Sequence, residues 1–78
     1  MTPLQCKMAR VALGWGVIDL AREAHVSTQT IVRFERGDQL KAQTVENLKS
    51  TMESAGMEFI PENGGGVGVR LKKPSSAE

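Results

Sequence analysis

The chain has little of what most specialised chemistry needs. Its 78 residues include one cysteine, one histidine, one tryptophan, two phenylalanines and no tyrosine. A lone Cys6 excludes an internal disulfide and a multi-cysteine metal site. Its expected role is that of a small buried hydrophobe, with a reactive thiol as the alternative. The lone His25 has no second histidine or cysteine pair to complete a metal set, so it reads as a turn residue. One His, one Cys and scattered carboxylates give no nucleophile–base–acid spacing, so neither catalysis nor a cofactor or metal is expected. No apolar run approaches a membrane span and no signal-like segment precedes the first helical pattern. A cytoplasmic protein without membrane contact is expected.

With so few aromatic side chains, burial must come from Leu, Val, Ile, Met and Ala, which suits short packed helices. The chain length allows one small core. Thr2 is placed to cap a first helix with Pro3 at its first position, and Leu4, Met8, Val11 and Ala12 fall at helical spacing as its apolar stripe. Gly14 and Gly16 flank Trp15 and end that helix. Leu20, Ala21 and Ala24 give a second helix a narrow face for close packing. Val26 is expected to plug the core after a turn at His25. Ser27 caps a third helix whose Ile31 and Phe34 point inward, and Gly37 supplies a left-handed exit. After the polar segment Asp38–Gln43, a fourth helix capped by Gln43 or Thr44 carries Val45, Leu48, Met52 and Ala55 on its core face and stops at Gly56.

The remainder changes character. Met57–Ile60 and Val67–Leu71 are β-prone runs separated by Pro61, Glu62, Asn63 and three glycines, which reads as a hairpin. The glycine run Gly64–Gly66 lacks the Lys-Ser/Thr ending of a phosphate loop and opens no helix, so a turn is the better reading. The expected organisation is a helical domain over 1–56, a hairpin over 57–72 and a disordered tail over 73–78. A two-stranded hairpin is marginal alone; this one must pack on the helices or pair with the hairpin of a second chain.

The segment Ile18–Gly37, IDLAREAHVSTQTIVRFERG, is the most informative. It reads as two short helices joined by a tight turn, and a polar-faced second helix braced in this way fits the major groove of DNA. The elements LGW at Leu13–Trp15, DLAREA at Asp19–Ala24, VSTQTI at Val26–Ile31 and RFERG at Arg33–Gly37 resemble the Cro/CI-type helix-turn-helix regulators, also called the XRE family. The likeness covers roughly Leu4 to Ala55, and Glu58–Gly66 is similar to the EFIPENGGG-like tail of short bacterial members. The resemblance implies a mainly α, lambda-repressor-like bundle of four or five helices that binds operator DNA as a dimer.

With Ile31 and Phe34 inward, Thr28, Gln29, Val32 and Arg33 fall on the exposed side of the third helix as candidate base contacts. Gln29 suits adenine, Arg33 suits guanine, and Thr28 or Val32 suits a thymine methyl. Ser27, Arg36, Lys41 and Gln43 are the candidate phosphate contacts. Glu35 is expected to pair with Arg10 or Arg22 and brace the helices. One departure stands out: family members commonly open the second helix with Ser-Gln, whereas this chain has Gly16 and Val17, which supply neither a hydroxyl cap nor an amide anchor. His25 stands where glycine is usual.

Net charge is only +1. Residues 1–41 hold six cations against four acids, a balance of +2, and residues 42–78 hold four against five, a balance of −1. Any basic footprint must therefore be local. The expectation is a sequence-specific transcriptional regulator that binds a pseudo-palindromic site as a homodimer, with Met57–Leu71 as the element that dimerises or docks a partner. Two other readings compete with it. In one, the scaffold is a protein-interaction module, such as an antitoxin or anti-activator, and Gln29, Arg33 and Arg36 are merely a solvated face. In the other, it is an architectural DNA binder without sequence preference.

Overall fold

The computed structural model describes residues 1–72, so the tail expected over 73–78 lies outside the described residues. Four helices, α1 (Pro3–Ala12), α2 (Val17–Ala24), α3 (Thr28–Glu35) and α4 (Ala42–Ser54), precede strands β1 (Met57–Ile60) and β2 (Gly68–Leu71). The fold is mainly α, with a C-terminal antiparallel hairpin in the register Met57↔Leu71, Glu58↔Arg70, Phe59↔Val69 and Ile60↔Gly68. Among the described residues no helix is long and apolar enough to cross a membrane.

Helix α1 begins with a full capping box. The Gln5 amide N–H donates to Thr2 Oγ1 at 3.0 Å, and the Thr2 N–H donates to Gln5 Oε1 at 2.9 Å. Two of the four orphan donors of a helix start are linked by this exchange. Three helices end alike, in the paired bonds of a Schellman motif. After α1, Gly14 N–H donates to Val11 O and Trp15 N–H to Arg10 O; after α2, His25 N–H donates to Arg22 O and Val26 N–H to Ala21 O; after α3, Gly37 N–H donates to Phe34 O and Asp38 N–H to Arg33 O. The pivot residue is left-handed each time, at φ +74° for Gly14, +59° for His25 and +105° for Gly37.

His25 is the one non-glycine residue among the described residues with positive φ, and its exposed imidazole makes no compensating hydrogen bond in the turn. A left-handed residue with a Cβ costs about 1–2 kcal/mol, of which glycine's extra unfolded-state freedom cancels about 0.4–1 kcal/mol. His25→Gly is therefore expected to stabilise the fold slightly, raising Tm by roughly 4 °C in a domain of this size. A fall in Tm on thermal unfolding would show that the imidazole contributes something the turn needs.

The core comprises Cys6, Ala9, Leu20, Ala21, Ala24, Ile31, Phe34, Leu48, Met52 and Met57, flanked by the partly buried Leu13, Trp15, Val26, Leu40, Val45, Phe59 and Val69. The faces expected of α2 and α3 are the ones observed. That of α1 is not. Its buried residues are Gln5, Cys6 and Ala9, while Leu4 and Val11 remain 59% and 61% exposed and Ala12 also faces solvent. The helix is rotated from the apolar stripe because two polar side chains have partners inside: Gln5 reaches the hairpin and Arg10 reaches α3. A second correction concerns α4. Its N-cap is Lys41, in extended conformation and without a side-chain cap bond, so the helix starts before the expected Gln43 or Thr44. Leu48 and Met52 are buried as expected, whereas Ala55, as the C-cap, is exposed.

The hairpin docks on the bundle. Met57 is fully buried, and Phe59 and Val69, paired across the sheet, pack on the core from the same face. The Gln5 Nε2 group donates to Ile60 O and Gly68 O, both at 3.0 Å. The N3 residue of the α1 capping box thereby also holds the two strands at their turn end, and both its amide hydrogens and its carbonyl are used.

Candidate nucleic-acid interface

Helices α2 and α3 are joined by His25, Val26 and Ser27. Ala21 and Ala24 bring no bulk, so α3 approaches closely and lays Ile31 and Phe34 against Leu20 in the common core. Ser27 caps α3, its hydroxyl accepting from the Thr30 N–H at 3.2 Å and sharing a 2.9 Å hydrogen bond with Thr30 Oγ1. On the other side, the Asn47 amide of α4 donates to Ala24 O at 2.9 Å and ties off the end of α2.

The orientation of α3 is fixed from behind by an ion pair. Arg10 Nε and Nη2 donate to Glu35 Oε2 and Oε1 at 2.8 and 2.9 Å, with the two side chains only 12% and 10% exposed. Arg10 Nη1 also donates to Trp15 O at 3.0 Å, and the Cys6 thiol donates to Glu35 Oε2 at 3.5 Å. Of the two partners open to Glu35, Arg10 is the one taken. Burial, with the Glu35 charge beside it, pushes the Cys6 thiol up to about 12. It is a buried donor rather than a nucleophile at neutral pH.

Braced in this way, α3 presents Thr28, Gln29, Val32 and Arg33 outward together, all exposed, while Ile31 and Phe34 face in. Val32 is 47% exposed, an apolar patch in an otherwise polar row. The candidate phosphate contacts lie at helix ends. Ser27 is exposed at the start of α3 and Arg36 at its end, while Lys41 and Gln43 are exposed at the start of α4. Leu40, partly buried, pins the connection that brings Lys41 to the helix start. Gln43 lines an open depression with Ala42, Thr44, Glu46, Asn47 and Ser50. Because Lys41 leaves α4 without a side-chain cap, the N–H groups of its first turn have no side-chain acceptor.

The start of α2 differs in kind. Gly16 has no side chain to cap it. Instead, the Gly16 N–H donates to Asp19 Oδ2 at 2.7 Å, and Arg22 Nη2 donates to Asp19 Oδ1 at 3.0 Å. These two donors, the Gly16 N–H foremost, hold the Asp19 carboxyl below its usual range. This helix start therefore carries a fixed negative charge.

Reading the sequence missed one residue of this surface. Asp38 accepts from Arg36 Nη2 and Nε at 2.8 and 3.1 Å, and its same Oδ2 lies 3.5 Å from Arg33 Nε. Arg36, followed by the Arg33 contact, holds the Asp38 carboxyl below its usual range. The run RFERGD marks the turn at Gly37 that folds the next residue back over the last helical turn, but not the two side chains it meets there.

No family model matches the chain, and no curated protein is significantly similar to it.

Proposed function

We propose that this protein is a cytoplasmic, sequence-specific DNA-binding transcriptional regulator of the Cro/CI helix-turn-helix kind, acting as a homodimer. The observation that carries this reading is the outward row Thr28, Gln29, Val32 and Arg33 on a short helix whose opposite face is locked into the core. An eight-residue helix of this type enters a major groove, where a bidentate Gln–adenine or Arg–guanine contact is worth roughly 1–3 kcal/mol of discrimination. Val32 or Thr28 offers apolar contact to a thymine methyl. Ser27, Arg36, Lys41 and Gln43 take the phosphates on either side. In a dimer, two α3 helices would address successive grooves about 34–36 Å apart. The hairpin Met57–Leu71 is the candidate dimerisation element, by strand pairing with a second chain.

A protein-interaction module is the competing function. The carboxylate of Asp19 at the start of α2 repels phosphate, and Leu4, Val11, Ile18 and Leu71 are large exposed apolar side chains. The deciding experiment titrates the protein against the duplex upstream of its own gene and against a scrambled duplex, each at two salt concentrations. Tight binding that prefers the native duplex and falls steeply with salt is the expected result. Weak, equal binding to both duplexes overturns the proposal and favours a protein partner, whereas tight but equal binding marks an architectural binder. Arg33→Ala is expected to relax the preference at one base pair by roughly 1–3 kcal/mol while leaving thermal stability unchanged, since the side chain is half exposed. Unchanged preference would remove Arg33 from the base-reading set.

A further inference from the structure

The two arginines at the end of α3 do not meet Asp38 in the same way. Arg36 presents the side of its guanidinium, with Nε and Nη2 both on Asp38 Oδ2. The Arg33 Nε lies 3.5 Å from the same oxygen, an ion-pair contact without hydrogen-bond geometry. The tip nitrogens Nη1 and Nη2 of Arg33 make no hydrogen bond among the described residues, and a planar fork of donors of that kind matches guanine O6 and N7. Asp38 itself is held in place, because its N–H closes the Schellman motif on Arg33 O at 2.9 Å and Gly37 anchors the turn before it. One carboxylate thus restrains Arg33 from the side and offsets the charge of Arg36.

We propose that Asp38 is a specificity-determining positioning residue: it aims the Arg33 tip at a guanine and suppresses indiscriminate phosphate binding by Arg36. This inference rests on the DNA-binding reading above. The carboxylate has two effects on binding, of opposite sign. Restraint of Arg33 removes part of the rotamer entropy that a base contact would otherwise cost. The negative charge beside Arg36 weakens every phosphate contact, specific or not, because a competing intramolecular acceptor must first be displaced. The first effect widens the gap between the right sequence and the wrong one, and the second lowers the affinity for both.

The test compares wild type, Asp38→Ala and Arg33→Ala in two assays. In the first, each protein selects from a duplex pool with a randomised core; in the second, each is titrated with one mixed-sequence duplex across a salt series. Asp38→Ala is expected to lose preference at the same base pair that Arg33→Ala loses. It is also expected to bind the mixed duplex about three- to tenfold more tightly, with a salt slope steeper by up to about 0.9, the release of one further counterion. Asp38 is partly exposed and its arginine partners are exposed, so thermal stability serves as the control for folding. If Asp38→Ala selects the wild-type sequence with unchanged mixed-duplex affinity, the positioning role is overturned while the DNA-binding reading stands. If wild type itself selects nothing, that reading falls and takes the role of Asp38 with it.

Discussion

Replacing Arg10 by methionine is expected to destabilise the fold by about 3 kcal/mol, at the lower end of the range for breaking a buried pair by removing one partner. The lower end applies because the pair retains slight solvent contact. Whole-domain stabilities run at about 0.05–0.15 kcal/mol per residue, which for a chain of this length makes the loss a large fraction of the total. A Tm lower by roughly 12–24 °C is the corresponding thermal signature. The cause is the carboxylate left behind. Glu35 would keep only the Cys6 thiol, a weak donor, from its present set of partners. The Trp15 carbonyl would lose its donor as well, so the single tryptophan reports the change directly through its emission.

The double variant Arg10→Met with Glu35→Leu separates an uncompensated charge from lost packing. Removing both charges with apolar replacements of similar size is often neutral or stabilising, so most of the lost stability is expected to return. If the double variant is as unstable as the single, the pair matters through shape and not through charge. Wild-type Cys6 is expected to resist a thiol reagent until the protein unfolds, since a thiol at about 12 is scarcely ionised at neutral pH.

The same pair explains why burial in α1 departs from its sequence pattern while burial in α2 and α3 follows it. In α2 and α3 the buried positions are the apolar ones, so Leu20, Ala21, Ala24, Ile31 and Phe34 could be placed by spacing alone. In α1 hydrophobicity and burial part company. Leu4, Met8 and Val11 keep perfect helical spacing, yet Gln5 is buried and Leu4 and Val11 are exposed. The reason lies far along the chain: the Gln5 acceptors are 55 and 63 residues away, and the Glu35 partner of Arg10 is 25 away. Periodicity ranks side chains by transfer free energy and has no means of crediting a polar group whose partners arrive only on folding. The start of α4 failed for a related reason. A search for a side-chain cap has nothing to find where the cap position, Lys41, contributes backbone geometry only. The candidate base-contact row was legible because it is the complement of an apolar face. Asp38 was not, since its relevance depends on a turn folding it back onto two side chains at once.

Replacing Gln5 by alanine is expected to cost about 2–3 kcal/mol and to act mainly on the hairpin. The carbonyls of Ile60 and Gly68 and the N–H of Thr2 would all lose their partner, and an unsatisfied buried group costs about 1–3 kcal/mol. The helices retain most of their own contacts, so hydrogen exchange should accelerate first in β1 and β2 while α2 and α3 stay protected. Uniform acceleration along the chain would instead make hairpin and bundle a single cooperative unit. Gln5→Glu sharpens the argument. An ionised carboxylate can still accept from Thr2 N–H but turns a negative charge on two carbonyl oxygens, so this variant should be the less stable of the two at pH 7. Those neighbours favour the protonated acid and raise its folded pKa above the unfolded value of about 4.3. A group shifted in that direction contributes stability that is present at low pH and lost as pH rises through the folded value. Gln5→Glu should therefore recover stability on acidification relative to Gln5→Ala, with the difference between the two curves measuring this one site. If the hairpin is also the dimer element, both variants should weaken duplex binding without altering which sequence is selected, because α3 is untouched.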